Sequence, residues 1–293
     1  MIVQSLIKGE LPAPEYNHCP VIQFNLIFFY VKRKYCLVTG AANGLGRAFA
    51  FELAGRKFNT LLVDLPGTGL ESLCREISNV SGTDSVYFET DMSLKDNILE
   101  LATEINGQYD VFLLVNNVGA GGARSFEEAD VEYINRMIQL NVMATSIMTH
   151  QLIPNLKKQD KSYILNVSSM AAFSPMGYKM VYPASKAYIN CFSRSLCEEF
   201  RETGISVSTV CPGPMKTNAD ATRRINGQNA VGRLGLLPAE KVARVSVTHL
   251  LRGRKVIIPN FANRLNWLVM KIVPSYIRLP LISRAMRKEA ESG

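Results

Sequence analysis

A tyrosine and a lysine stand four residues apart in the stretch VYPASKAY. The stretch has the composition of the first turns of a helix, on which residues four apart lie on the same face. Tyr182 and Lys186 would then hold a phenol beside an ammonium group. Free tyrosine titrates at about 10, and a neighbouring cation lowers that pKa, which suits the phenol to proton transfer. The alternative is that both side chains only decorate the surface, so the elements that position them decide.

Seven short apolar runs follow one another from Tyr35 onward, and longer amphipathic stretches separate them. This alternation predicts an α/β fold, a doubly wound and mostly parallel seven-stranded sheet with helices on both faces in a single domain. Ligands in such folds bind beyond the carboxyl ends of the strands, so the end of each run is where functional residues are expected. The runs are YCLVTG (35–40), NTLLVDL (59–65), SVYFETD (85–91), VFLLVNN (111–117), SYILNVSS (162–169), SVSTVCPG (206–213) and KVIIPN (255–260).

The first run ends in a glycine turn, TGAANGLG (39–46), which leads directly into a helix-like stretch. Gly40, Gly44 and Gly46 remove side chains where the chain turns and where its backbone must approach a ligand. The start of the helix offers unpaired N–H groups and the positive end of its dipole. A glycine turn between a strand and a helix therefore predicts a diphosphate site.

The second run places an acid, Asp64, 24 residues after Gly40. A carboxylate there accepts both hydroxyls of an adenosine ribose and repels a 2′-phosphate. No cation follows at Leu65, and Arg47 is the nearest one to the turn. NAD(H) is therefore favoured over NADP(H), which the sequence does not exclude. The other interpretation of Asp64 is an ordinary turn or cap residue.

Together these features resemble the short-chain dehydrogenase/reductase family in its compact single-domain form, an NAD(P)-binding Rossmann fold. The resemblance spans roughly residues 33–260, with Val118 and Met215 as mild departures from the family's motifs. Each motif alone is weak evidence, but their order and separations match the family. The matching stretches are TGAANGLG (39–46), NNVG (116–119), YPASK (182–186) and PGPMKT (212–217).

The resemblance implies a catalytic set made of Asn141, Ser169, Tyr182 and Lys186. Asn141 would support a water-linked proton relay, and Ser169 would hydrogen-bond the substrate oxygen. The neighbouring Ser168 is the rival for that role. Lys186 would also bind the nicotinamide ribose. The residues that the resemblance and the glycine turn assign to the cofactor are Thr39, Gly40, Asn43, Gly44, Leu45, Gly46, Asp64, Asp91, Met92, Asn117, Gly119, Tyr182, Lys186, Pro212, Gly213 and Thr217.

The predicted function is that of an NAD(P)(H)-dependent oxidoreductase that interconverts a secondary alcohol and a ketone. Residues 173–180, FSPMGYKM, would line an apolar pocket, which favours a hydrophobic substrate. The alternative is a non-catalytic NAD(P)-binding regulatory or scaffold protein of the same fold. A serine hydrolase is disfavoured because the sequence contains no GxSxG turn. The epimerases and lyases among the family's extended relatives carry a larger substrate region after the sheet.

Composition limits the other classes of partner. Of the net charge of +8, residues 1–34 carry +2 and residues 261–293 carry +4. The positive charge therefore belongs largely to the ends of the chain, and no nucleic-acid-binding motif accompanies it, so we expect no nucleic-acid partner. The six cysteines form no CxxC pair and have no histidine cluster beside them, so we expect no metal site.

The domain boundaries follow from these observations. Residues 1–32 are predicted to be an N-terminal extension, 33–260 the dehydrogenase/reductase domain, and 261–293 a basic amphipathic tail. The apolar stretch 21–31 is shorter than the roughly 20 residues that cross a bilayer, so it is an interfacial anchor or a buried segment. Residues 217–235 have the composition of a lid over the substrate.

The tail leaves its partner open. Its apolar residues recur at helical spacing, which suits contact with an anionic membrane, with its own domain or with a second subunit. We expect a cytoplasmic homo-oligomer, with peripheral membrane association through the terminal segments as the open alternative. The residues that share one helical face are Leu265, Leu268, Val269 and Ile272.

Overall fold

The computed structural model describes residues 33–215 and 235–291 of the chain. The predicted N-terminal extension, Thr217 and all but the last residue of the predicted lid lie outside these ranges. From Lys34 onward the chain forms one compact unit.

The described residues form a seven-stranded sheet in which every pair of neighbours is parallel, in the order β3-β2-β1-β4-β5-β6-β7. The predicted fold class is confirmed. The strands are shorter than the apolar runs, because the last residues of each run leave the sheet and form the loops at its carboxyl edge. The strands are β1 (Lys34–Thr39), β2 (Asn59–Asp64), β3 (Ser85–Glu89), β4 (Asp110–Asn116), β5 (Ser162–Val167), β6 (Ile205–Val210) and β7 (Val256–Ile257).

Helices cover both faces of the sheet and carry the chain from each strand to the next. One turn of π-helix, Gln139–Met143, lies between α4 and α5, and a 3₁₀-helix, Met170–Phe173, follows β5. The α-helices are α1 (Gly44–Gly55), α2 (Leu70–Ser81), α3 (Lys95–Gln108), α4 (Val131–Ile138), α5 (Ala144–Lys157), α6 (Val181–Glu199), α7 (Ala239–Leu251), α8 (Phe261–Ile272) and α9 (Ser275–Glu291).

Two apolar cores lie against the two faces of the sheet. Along β1, Cys36 and Val38 point into the core that contains α1, α2 and α7, and Leu37 points into the core that contains α3 and α5. This alternation follows from the two-residue period of a strand, and all three side chains are fully buried. Burial of each such side chain contributes about 1.5–3 kcal/mol relative to leaving it exposed.

Helix α6 carries the tyrosine and the lysine, as the sequence predicts. It begins at Val181, three residues earlier than the predicted start at Ala184, and ends at Glu199. Pro183 therefore lies in the first turn, where its missing N–H is not needed for a helical hydrogen bond. Tyr182 and Lys186 consequently lie one turn apart on the same helix, next to the carboxyl end of β5.

Candidate active site

The glycine turn after β1 lets helix α1 approach the strand closely. Gly40 and Gly44 have φ angles of +65° and +53°, in the left-handed region that favours glycine. A Cβ on Gly46 would lie 1.8 Å from the carbonyl oxygen of Gly40, so no other residue fits there. The first turn of α1 contains no acidic residue, and Asn43, at its N-cap, makes no side-chain capping hydrogen bond. The N-terminus of α1 is thus suited to a diphosphate.

Thr39 and Asn117 tie the end of β1 to the end of β4. The Thr39 Oγ1 accepts from the backbone N–H of Asn117 at 3.0 Å and from that of Val118 at 3.1 Å. The Asn117 Nδ2 donates to the carbonyl oxygens of Thr39 and Gly40 at 3.0 and 2.9 Å. Both residues belong to the predicted cofactor set, and these side-chain bonds shape the glycine turn.

Asp64 lies at the rim of this turn. Its Oδ2 accepts from the Ala42 N–H and its Oδ1 from the Leu65 N–H, each at 2.8 Å. Two fixed hydrogen bonds therefore hold the carboxylate where β2 ends. Arg47, the nearest cation in the sequence, donates through Nη2 to both carboxylate oxygens of Glu76 at 2.9 and 2.8 Å.

Asp91 and Met92 follow the end of β3 by two and three residues. The Asp91 Oδ1 accepts from the hydroxyl of Ser93 at 2.7 Å and from its N–H at 2.9 Å. These bonds, the hydroxyl first, lower the pKa of the Asp91 carboxyl. Met92 is buried and packs in the core on the α3 side. Of the two, the acid presents the polar group at this edge of the sheet.

Lys186 is a buried amine beside the Tyr182 ring. Its Nζ lies 5.9 Å from the ring centroid and donates to the carbonyl oxygen of Val167 at 2.9 Å. Burial lowers the pKa of this amine to about 8. A Cβ on Gly121 would lie 3.2 Å from Cε2 of Tyr182, so the loop after β4 packs directly on the ring. The pair is therefore part of a built site and not a surface decoration.

Asn141 connects that loop to helix α6. Its side chain is fully buried, accepts from the Ala120 N–H at 2.8 Å and donates to the Ala120 carbonyl at 2.9 Å. Its Nδ2 also donates to the Ser185 hydroxyl at 2.9 Å, and that hydroxyl donates to the Tyr182 carbonyl at 2.8 Å. Sequence reasoning missed Ser185. The only signal was a small polar residue between the tyrosine and the lysine.

Gly119 lies where Asn141 and Lys186 come together. A Cβ at this position would lie 2.7 Å from Oδ1 of Asn141 and 3.4 Å from Nζ of Lys186. A side chain here would displace the asparagine amide or the amine, or both. The structure thus brings three predicted residues, Gly119, Asn141 and Lys186, into one cluster next to Tyr182.

The two serines after β5 differ in what they contact. Ser168 is buried, and its hydroxyl donates to the Lys186 carbonyl at 2.8 Å. Ser169 is half-buried, and its Oγ accepts from the Ala171 N–H at 3.1 Å. The Ser168 hydroxyl is thus used inside the protein, whereas that of Ser169 is closer to solvent. This difference favours Ser169 for contact with a substrate.

The Pro212–Gly213 turn lies beside the segment that follows Ser169. The Pro212 carbonyl accepts from the Met170 N–H at 2.9 Å. The turn therefore joins the cofactor set to the catalytic set, as predicted. Thr217, the last predicted contact of this segment, lies outside the described residues.

A buried polar layer, not predicted from the sequence, lies beneath the site. The Asn116 Nδ2 donates to the Thr149 hydroxyl and to the Asn166 Oδ1, both at 2.8 Å. The Asn166 Nδ2 donates to the Ser193 hydroxyl at 2.9 Å. Because these bonds join β4, β5, α5 and α6 inside the protein, they fix the strand ends that carry the catalytic residues.

Within the described ranges, no three His, Cys, Asp or Glu side chains are grouped as metal ligands would be. The helices of those ranges include none with the length and apolar character needed to span a bilayer.

The sheet, the glycine turn and the Tyr–Lys pair define a nucleotide-binding α/β oxidoreductase fold. The family model for short chain dehydrogenases matches residues 34–227. The chain therefore belongs to the short-chain dehydrogenase family, whose members are NAD(P)-binding oxidoreductases.

Two curated relatives illustrate the range of this family. The chain is 32% identical over 182 residues to the very-long-chain 3-oxoacyl-CoA reductase of Anas platyrhynchos, a match that covers 61% of this chain and 58% of the relative. It is 27% identical over 265 residues to the human inactive hydroxysteroid dehydrogenase-like protein 1, covering 88% and 79%. The chain thus spans less than two thirds of the length of the first relative.

Solved structures share the fold. A short-chain dehydrogenase from Sphingobium yanoikuyae in complex with NADPH superposes with a TM-score of 0.72 at 22% identity, covering 83% of this chain and 96% of that one. A short-chain dehydrogenase/reductase from Burkholderia phymatum in complex with NAD gives a TM-score of 0.71 at 23% identity, covering 81% and 92%. The fold therefore accommodates either cofactor.

The buried amine predicts a pH dependence of stability. The pKa of Lys186 falls from 10.5 in the unfolded chain to about 8 in the fold. Between these values the unfolded chain binds more protons, so the stability of the fold rises with pH across this window. Relative to Lys186→Met, the wild-type free energy of unfolding should rise by about 2 kcal/mol between roughly pH 8 and pH 10, measured by urea denaturation.

Lys95→Met is the matched control, because the Lys95 side chain is 62% exposed. Its curve should run parallel to that of the wild type. A parallel curve for Lys186→Met as well would mean that the amine is not desolvated in the fold.

Proposed function

We propose that this protein interconverts a secondary alcohol and a ketone with an NAD(P)(H) cofactor, using Tyr182 as the proton donor and acceptor. The observation that carries the proposal is the buried Lys186 amine beside the Tyr182 ring. The nicotinamide, when bound, supplies or accepts the hydride. The glycine turn, Asp64 and the Pro212–Gly213 turn would hold this cofactor along the carboxyl edge of the sheet.

The residues around Tyr182 have separate tasks in this proposal. As hydride reaches the carbonyl carbon, the oxygen becomes alkoxide-like and takes a proton from the Tyr182 hydroxyl. The Lys186 cation favours the phenolate that remains. The Ser169 hydroxyl hydrogen-bonds the substrate oxygen and stabilises its developing charge. Asn141 holds the loop after β4 against α6, and the water-linked relay assigned to it belongs to the proposal.

The proposed substrate is a hydrophobic ketone or alcohol. The half-buried Phe173 packs with Trp267 against Met170, so apolar side chains follow Ser169 directly. The name of the duck relative points in the same direction, towards a long 3-oxoacyl thioester. Both observations concern the entrance side of the site, and the substrate class is inferred from them.

The competing proposal is a cofactor-binding protein without turnover. Its support is the human relative, whose name includes the word inactive and whose match covers 88% of this chain. The cluster of Asn141, Tyr182 and Lys186 favours the enzyme, because a non-catalytic protein does not need a buried amine beside a tyrosine. Turnover distinguishes the two proposals.

Replacement of the proton donor should remove turnover. Tyr182→Phe keeps the ring and its packing but lacks the hydroxyl, so kcat should fall by about 10²–10⁴-fold while cofactor affinity stays within about twofold. The measurement is the reduction of a long-chain 3-oxoacyl-CoA and of a steroid ketone, followed through cofactor absorbance, with the dissociation constant from cofactor fluorescence.

Tyr188→Phe is the control, because Tyr188 lies on the same helix and is 40% exposed. It should retain wild-type turnover. Full activity in Tyr182→Phe would refute the mechanism, and a wild type that binds cofactor but turns over neither probe would favour the non-catalytic alternative.

We further propose that NAD(H) is the preferred cofactor. The fixed Asp64 carboxylate would oppose a 2′-phosphate, and Arg47 is already paired with Glu76. The charge at this rim therefore favours a cofactor with free ribose hydroxyls.

Removal of the two acids should reverse this preference. Asp64→Ser removes the repulsion, and Glu76→Gln releases the Arg47 guanidinium. In the double variant the ratio of kcat/KM with NADH to that with NADPH should fall by about tenfold or more. Asp96→Ser, at an 84% exposed acid on α3, should leave the ratio unchanged. An unchanged ratio in the double variant would mean that Asp64 does not select the cofactor.

The tail supports a proposal of peripheral contact with an anionic membrane. On α8 the four apolar residues of the predicted face are 46–70% exposed. Residues 261–288 contain six basic and no acidic residues. An apolar face flanked by cations suits an anionic bilayer surface. The predicted cytoplasmic location is then that of a partly membrane-bound pool, and the homo-oligomer stays a prediction that analytical ultracentrifugation tests.

Vesicle binding tests the membrane proposal. The full chain should sediment with phosphatidylserine vesicles at low salt, and Leu268→Ser with Ile272→Ser should weaken its binding by about tenfold or more. Val80→Ser, at a 75% exposed apolar residue on α2, should have no effect. A wild type that stays in the supernatant would exclude the proposal.

A further inference from the structure

The inner face of helix α8 inserts a buried amide between two glycines. Asn263 is 2% exposed, and its Nδ2 donates to the Gly235 carbonyl at 3.2 Å. A Cβ on Gly213 would lie 2.5 Å from this Nδ2, and a Cβ on Gly235 would lie 2.1 Å from Oδ1. Only glycine therefore fits on either side of the amide. The carboxamide lies directly against the Pro212–Gly213 turn, which is part of the proposed cofactor site.

Local hydrogen bonds fix Asn263 in this position. Asn260 caps α8 and accepts from the Asn263 N–H at 2.7 Å. The Asn260 Nδ2 also donates to the Gly235 carbonyl at 3.2 Å. Two asparagines one turn apart thus bind the same carbonyl, and α8 cannot rotate without breaking these bonds.

Helix α9 contacts the segment that precedes Tyr182. The Ser283 hydroxyl accepts from the Gly177 N–H at 2.9 Å, and a Cβ on Gly177 would lie 3.0 Å from that hydroxyl. The Arg278 Nη1 donates to the Phe173 carbonyl at 3.1 Å. Residues 173–177 are therefore held from outside by side chains more than a hundred residues later in the chain.

The same segment contains an unfavourable backbone conformation. Tyr178 has φ +61°, in the left-handed region that residues other than glycine rarely adopt. Such a conformation persists only where neighbouring contacts hold it. The Tyr178 carbonyl accepts from the Arg124 N–H at 2.8 Å, and the adjacent Gly177 is held by Ser283. Tyr182 follows four residues later, at the start of α6.

We propose that α8 and α9 form a brace that positions both halves of the active site. Asn263 positions the Pro212–Gly213 turn for the cofactor, and Ser283 positions residues 173–178 for the substrate. All these brace residues lie beyond residue 227, where the match to the family model ends. The inference rests on the proposed function, because it assigns the two contacts to cofactor and substrate.

The two contacts predict separate kinetic effects. Asn263→Ala should raise the dissociation constant and the KM for the nicotinamide cofactor by about fivefold or more, with the substrate KM changed less than about twofold. Ser283→Ala should do the reverse, raising the KM for the long-chain 3-oxoacyl-CoA probe by about fivefold. A brace that is only structural would lower stability and kcat in both variants without this separation.

Each variant has a matched control on its own helix. Asn266 on α8 and Ser275 on α9 are exposed, so Asn266→Ala and Ser275→Ala should change neither constant by more than about twofold. Similar effects of a variant and its control, or equal effects of Asn263→Ala and Ser283→Ala on both constants, would overturn the brace.

A readout without turnover separates this inference from the proposed function. Hydrogen–deuterium exchange of the full chain should become faster in residues 173–180 of Ser283→Ala and unchanged there in Ser275→Ala. If no probe is turned over but exchange increases as expected, the proposed function fails and the brace stands. Unchanged exchange in Ser283→Ala would refute the brace, whatever the activity.

Discussion

The active site depends on one desolvated amine. Lys186 is 6% exposed, and its Nζ lies between the Val167 carbonyl and the Tyr182 ring. An amine in this position loses its hydration, which lowers its pKa to about 8 and leaves it mostly protonated at neutral pH. Its attraction for negative charge is strong because little water screens it. The surrounding structure serves to keep the amine, the tyrosine and the strand end together.

Close approach of backbone segments makes this arrangement possible. Gly46 lets α1 touch the turn after β1, Gly119 leaves room for the Asn141 amide and the lysine amine, and Gly213 leaves room for Asn263. At each of these positions a Cβ would lie 2.7 Å or less from a neighbouring atom. The same requirement, that backbone and ligand or backbone and amide come close, thus recurs at three corners of the site.

The sequence predicted the sheet well because its strands are buried on both faces. Runs such as those ending at Thr39 and Asn116 are almost continuously apolar, and that pattern is independent of distant contacts. Tyr182 and Lys186 were also predictable, since both lie on one helix at a fixed spacing. Ser185, Asn263 and Ser283 were not. Their roles come from contacts between residues 21 to more than a hundred positions apart, which no local spacing reveals.

The central claim is that the Tyr182–Lys186 pair performs chemistry and does not merely bind a nucleotide. Single-turnover reaction of the full chain, loaded with one equivalent of reduced cofactor and mixed with a long-chain 3-oxoacyl-CoA or a steroid ketone, tests it most directly. The account predicts that one hydroxyl product forms for each cofactor oxidised. A chain that binds the reduced cofactor tightly and leaves both the cofactor and the ketones unchanged would contradict it.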